Sequence, residues 1–97
     1  MIRHTVVFTL KHPKGSAAEG AFLKAADALE AIPGVEKFEK LKQVSPKNNY
    51  GFGFSMEFKD QAAYKGYNDH PAHVAFVKNR WMPEVKDFME IDYVALT

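Results

Sequence analysis

Tyr67-Asn68-Asp69-His70-Pro71-Ala72-His73 is the stretch on which the fold turns. A residue that precedes proline is disfavoured in the α region, so a helix carrying Ala63, Tyr64 and Tyr67 should end at or just before His70. Pro71 has its φ preset and lacks the N–H that a first turn leaves unpaired, so it suits the start of another helix. His73 then falls in that first turn, and the helix continues through Val74, Phe76, Val77 and Trp81. Pro83 should kink it or end it before Val85 and Phe88 pack. Upstream, Asp60 can cap the helix that ends at His70.

Working outward, Ile2, His4, Val6, Phe8 and Leu10 alternate with Arg3, Thr5, Val7 and Thr9, the period of a strand with one apolar and one mixed face. His4 belongs to the apolar face. Lys11-His12-Pro13-Lys14-Gly15 breaks the pattern, and Ser16 with Glu19 three residues on forms a capping box. Phe22, Ala25, Ala26, Leu29 and Ile32 recur at helical spacing until Pro33-Gly34 stops them. From Val35 to Val44 the chain has modest strand character with charges typical of an exposed edge. After the turn residues Ser45-Pro46-Lys47-Asn48-Asn49, Tyr50, Phe52, Phe54, Met56 and Phe58 alternate with Gly51, Gly53, Ser55 and Glu57, the clearest strand in the chain. Met89, Ile91, Tyr93 and Ala95 alternate with Glu90, Asp92 and Val94 in a fourth strand with one polar face. The order β-α-β-β-α(α)-β predicts an α+β, ferredoxin-like, four-stranded antiparallel sheet with helices on one face. Its second face is expected to carry Thr5, Thr9, Ser55, Glu57, Glu90 and Asp92, a set that tolerates water.

The 97 residues, 46% of them hydrophobic, suffice for one core and suggest a single domain over 1–97. A formal charge of +1, with lysines interspersed among glutamates, argues against a nucleic-acid partner. Without cysteine there is no disulfide, thiolate metal site or cysteine nucleophile, which suits a reducing compartment. The strand pattern begins at Ile2 with no leader-like segment, and no apolar run is long enough to span a bilayer, so a cytoplasmic protein without membrane contact is expected.

Ile2-Arg3-His4-Thr5-Val6-Val7-Phe8, Ile32-Pro33-Gly34-Val35, Val44-Ser45-Pro46, His70-Pro71-Ala72-His73-Val74-Ala75-Phe76 and Asp92-Tyr93 together resemble the stress-responsive dimeric α/β-barrel family over essentially the whole chain. The resemblance implies that two ferredoxin-like sheets pack face to face about a two-fold axis into a closed homodimer, a dimeric α/β barrel. It also implies a possible activity, since one plant member is a polyketide cyclase that closes a linear polyketide by an intramolecular aldol step. The strand-one histidine, the tyrosine and the second histidine of the His-Pro-Ala-His segment that it uses match His4, Tyr67 and His73 here. Asn68-Asp69 stand where that cyclase has apolar residues.

A ring-closing aldol needs a base beside a carbonyl and a donor for the developing oxyanion, and a neutral imidazole with a nearby phenol supplies both. His73 is thus a candidate general base, kept neutral by the positive end of its helix, with Tyr67 as the donor and His4 as an orienting or substrate-binding group. Bland accounts compete. His73 fits equally as a first-turn residue bonded to a backbone carbonyl or to Asp69, His4 as a satisfied core histidine, Tyr67 as packing, and His70 as a cap. No metal or other cofactor is expected, because His70 precedes the helix that carries His73 and no carboxylate has an obvious ligand spacing. Three functions remain open: a cofactor-free lyase or cyclase on a small apolar carbonyl substrate, a non-catalytic dimeric stress-response or ligand-binding module, and, from more distant dimeric barrels, a cofactor-free monooxygenase or a haem binder.

Overall fold

The computed structural model describes residues 1–97. Strand β1 spans Ile2–Leu10, and helix α1 spans Ala17–Ala25 before tightening into a 3-10 continuation at Ala26–Ala31. Strands β2 (Glu36–Lys42) and β3 (Phe52–Phe58) follow, then helix α2 (Gln61–Asp69) and helix α3 (Pro71–Phe76). A π turn at Val77–Trp81 and a last turn at Met82–Glu84 lead into β4 (Val85–Val94).

Local chemistry sets these boundaries. The Glu19 N–H donates to Ser16 Oγ at 3.2 Å, while Glu19 Oε1 reaches back to accept from the Gly15 N–H, closing the predicted capping box one residue early. The Ala63 N–H donates to Asp60 Oδ1 at 2.9 Å at the head of α2. His70 is extended (φ −65, ψ 135), as a residue before proline should be; its N–H ends α2 on the Tyr67 carbonyl, and its Nδ1 accepts from the Ala72 N–H to cap α3. Pro83 has no N–H to give to the carbonyl four residues back, and the preceding turn widens so that the Met82 N–H meets the carbonyl of Val77.

The sheet order is β2-β3-β1-β4, all neighbours antiparallel, which is the ferredoxin-like arrangement. The charged strand β2 lies at an edge as expected. Register places Phe88, Glu90 and Asp92 of β4 beside Phe8, Val6 and His4, on the face that the helices cover. This corrects the expectation for the fourth strand twice. β4 begins at Val85, not Met89, so Val85 and Phe88 are strand residues. Its polar set faces the helices, while Met89 and Ile91 pair with Val7 and Thr5 on the open face. The register shift between Thr9 and Leu10 inserts the extra residue that lets both Val85 and Phe88 point inward.

Ile2, Val6, Phe8 and Leu10 from β1, Phe54, Met56 and Phe58 from β3, and Phe22, Leu29, Tyr64, Tyr67 and Phe76 from the helical layer form one core between sheet and helices. Phe8 sits at its centre, with ring contacts to Phe22, Phe52, Phe54 and Trp81. Gly53, on the open face, is closely approached by its own sheet: a Cβ there would lie 3.4 Å from the Val6 carbonyl oxygen. No helix is long and apolar enough to cross a membrane.

Candidate functional site

His73 reaches its position because Pro71 starts α3 directly after α2 ends, folding the new first turn back over the last turn of the old helix. Its Nδ1 lies 3.1 Å from the Asn68 carbonyl oxygen. A carbonyl only accepts, so Nδ1 carries the proton and Nε2 is left with its lone pair. The backbone bond expected of a bland first-turn histidine is therefore present, and it selects the tautomer that a base needs. The ring of Tyr67 packs against it with centroids 4.4 Å apart. The Tyr67 side chain is buried, its hydroxyl makes no hydrogen bond within the chain, and burial reinforced by the Glu90 charge pushes its pKa up, so it stays protonated as a donor.

His4 is the one buried polar residue of the core. Its Nδ1 lies 2.6 Å from Asp92 Oδ1, and the Tyr64 hydroxyl donates to Asp92 Oδ2 at 2.8 Å, its oxygen standing 2.8 Å from the same His4 nitrogen. The carboxylate fixes the proton on Nδ1, leaving Nε2 as the available nitrogen, an arrangement familiar from carboxylate-oriented histidines. Burial first, and then the bond to Asp92, raise the Tyr64 pKa, so this donor also keeps its proton. Neither Asp92 nor Tyr64 stands out in the sequence as part of a site. Asp92 reads as the polar side of a strand and Tyr64 as helix packing; only the His4–Asp92 register joins them.

Beside this cluster lies a cavity of about 250 Å³, small against the roughly 300–1,000 Å³ of common ligand sites. His4, Tyr67 and His73 all line it, together with Val6, Leu29, Phe54, Met56, Phe76, Trp81 and Phe88, and with Asn68 and Glu90 as its other polar groups. A shallow outer depression shares Asn68, His73, Val77 and Met82 with the cavity, placing the mouth between the end of α2 and the helical stretch that starts at Pro71. His70 is not at the site: its ring is spent on capping, as expected.

Burial lowers the pKa of His73, and the neighbouring His4 pushes the same way, while the Asn68 carbonyl and Glu90 oppose them. A neutral ring was expected, and desolvation favours it. The consequence for stability has a definite sign. As pH falls through the ordinary value of 6.5, the unfolded chain binds a proton that folded His73 refuses, so folding weakens until the pH passes below the depressed folded value. Denaturant midpoints should therefore drop less between pH 7.5 and 5.5 in His73→Gln than in the parent; identical drops would show that His73 titrates normally.

A family model described as the stress-responsive A/B barrel domain matches residues 2–95. The crystal structure of a Dabb family protein with a ferredoxin-like fold from Mesorhizobium loti is 65% identical, with a TM-score of 0.97 over 99% of this chain and 97% of that one. A dimeric ferredoxin-like protein from Thermobifida fusca shares the fold at 21% identity, with a TM-score of 0.80 over 97% of this chain and 90% of that one. So does a hydroxynitrile lyase from Passiflora edulis at 16% identity, with a TM-score of 0.85 over 99% and 94% of the respective chains. No protein with a curated description matches the sequence.

Proposed function

This chain belongs to the stress-responsive A/B barrel domain family, and from that premise we propose that it is a cofactor-free lyase or cyclase acting on a small, apolar, polyketide-like carbonyl compound, with His73, Tyr67 and His4 as its catalytic residues. One observation carries the reading: side chains from β1, α2 and α3 converge on one largely apolar cavity, and each histidine has one nitrogen engaged and the other free.

In this reading His73 Nε2 removes the proton from the carbon next to a carbonyl, and the Tyr67 hydroxyl donates to the carbonyl oxygen as it becomes an enolate. The enolate carbon attacks a second carbonyl of the same molecule, forming the carbon–carbon bond. The proton held on His73 returns to the new alkoxide, and the reverse sequence cleaves the bond. His4, held in register by Asp92, presents its Nε2 lone pair to an enol or hydroxyl O–H of the substrate, which donates to it. The apolar walls exclude water, which strengthens these polar contacts. Incubation with linear δ-diketones, whose carbonyl spacing lets the enolate carbon close a six-membered ring, followed by chromatography of the cyclised product, tests the proposal; no turnover above background contradicts it.

The protein acts as a homodimer in this account. Met89 and Tyr93, each about half exposed in the single chain, lie with Ile91 on the sheet face that no helix covers. Packing that face against its two-fold copy removes apolar surface from water on both protomers at once.

A further inference from the structure

Glu90 is a carboxylate on the wall of a mostly apolar cavity, and the proposed acid–base steps give it no contact with substrate. Its Cα register partner is Val6, so it shares the helix-covered face with His4 and lies one strand position from Asp92 along that face. No side chain forms an ion pair or hydrogen bond with it, whereas Asp92 is satisfied by His4 and Tyr64. Its charge reaches the other polar groups of the site, raising the pKa of Tyr67 and opposing the depression at His73. The burial of His73 holds that ring neutral, so it supplies no compensating positive charge. Phe54, Tyr67, Phe76, Trp81 and Phe88 stand around the same space. Aromatic faces beside an uncompensated carboxylate are the chemistry that receives an organic ammonium group, the ring quadrupoles and the carboxylate acting in the same direction.

We infer that Glu90 determines specificity, admitting ligands that carry an ammonium group on a small apolar body and excluding carboxylates. The inference rests on the reading of this cavity as a ligand site, though not on turnover. A substrate consistent with both would bear an amine near its carbonyl, the amine on Glu90 and the carbonyl between Tyr67 and His73.

Three probes of nearly equal size separate the possibilities: benzylammonium, benzyl alcohol and benzoate, titrated at pH 7.5 into the whole protein while the side-chain signals of Trp81 and His73 are followed by NMR. Benzylammonium should bind about tenfold more tightly than benzyl alcohol, the equivalent of one charge-assisted hydrogen bond, and benzoate should bind more weakly than either. In Glu90→Gln the ammonium advantage should shrink to within about twofold, and in Glu90→Leu benzoate should approach benzyl alcohol. Glu90 is exposed enough that neither change threatens the core. Equal binding of benzoate and benzylammonium by the parent, or an ammonium preference unchanged in Glu90→Gln, overturns the assignment of Glu90 while leaving the cavity as a ligand site. Failure of all three probes to shift Trp81 or His73 overturns both.

Discussion

Replacing His73 with glutamine should reduce turnover of a linear δ-diketone by about 10²–10⁴-fold, the range that a positioned general base contributes. Glutamine keeps a side-chain N–H that can face the Asn68 carbonyl and fills similar space, but it has no basic nitrogen. His73 is only half buried and lies on the cavity rim, so the fold should survive, and unchanged circular dichroism would confirm that the loss is chemical. Tyr67→Phe should show a smaller loss, about 10²-fold, because it removes one donor to the developing oxyanion while the ring still packs on Phe58 and His73. Full activity in His73→Gln would remove the base from the mechanism. If ligands bind but neither parent nor variants turn anything over, the pocket is that of a binding module.

A charge on the open sheet face should separate the protomers. The parent should sediment at about 22 kDa, twice the 11.0 kDa of one chain, and Ile91→Lys should sediment at 11.0 kDa at micromolar concentration. An ammonium buried without a partner at an interface costs several kcal/mol, and each 1.4 kcal/mol is about a tenfold loss of affinity. In a two-fold interface each protomer contributes the same face, so the penalty is imposed on both sides. Val74→Lys is the control: Val74 is as exposed as Tyr93 but lies on α3, on the other side of the sheet, and should leave the dimer intact. A monomeric parent, or a dimer indifferent to Ile91→Lys, would contradict the barrel arrangement.

Much of this was legible because local chemistry and periodicity agree. Ser16, Asp60 and Pro71 start helices where capping and proline geometry say they should, and the alternations in β1 and β3 give both strands with the correct faces inward. The strand at β4 defeated the same logic. Alternation shows that Met89, Ile91 and Tyr93 share a face but not which one, and the usual rule sends the apolar set toward the helices. Here the register shift between Thr9 and Leu10 sends Glu90 and Asp92 there, one to the cavity wall and one to His4. The site was half legible for a related reason. His4, Tyr67 and His73 come from residues that the family resemblance singles out, whereas Asp92, Tyr64 and Glu90 acquire a role only through cross-strand pairing and packing, which one sequence does not display.

His4, Tyr67 and His73 are proposed to work on one small carbonyl ligand in one cavity. Titrating the protein with acetylacetone, with the histidine rings labelled with nitrogen-15 and the tyrosine rings with carbon-13, tests it directly. The His4 and His73 Nε2 signals and the Tyr67 ring should move together along one saturable curve, while His12 and His70, which lie outside the cavity, should stay still. Signals of His4, Tyr67 and His73 that remain fixed, or that follow separate curves, would contradict it.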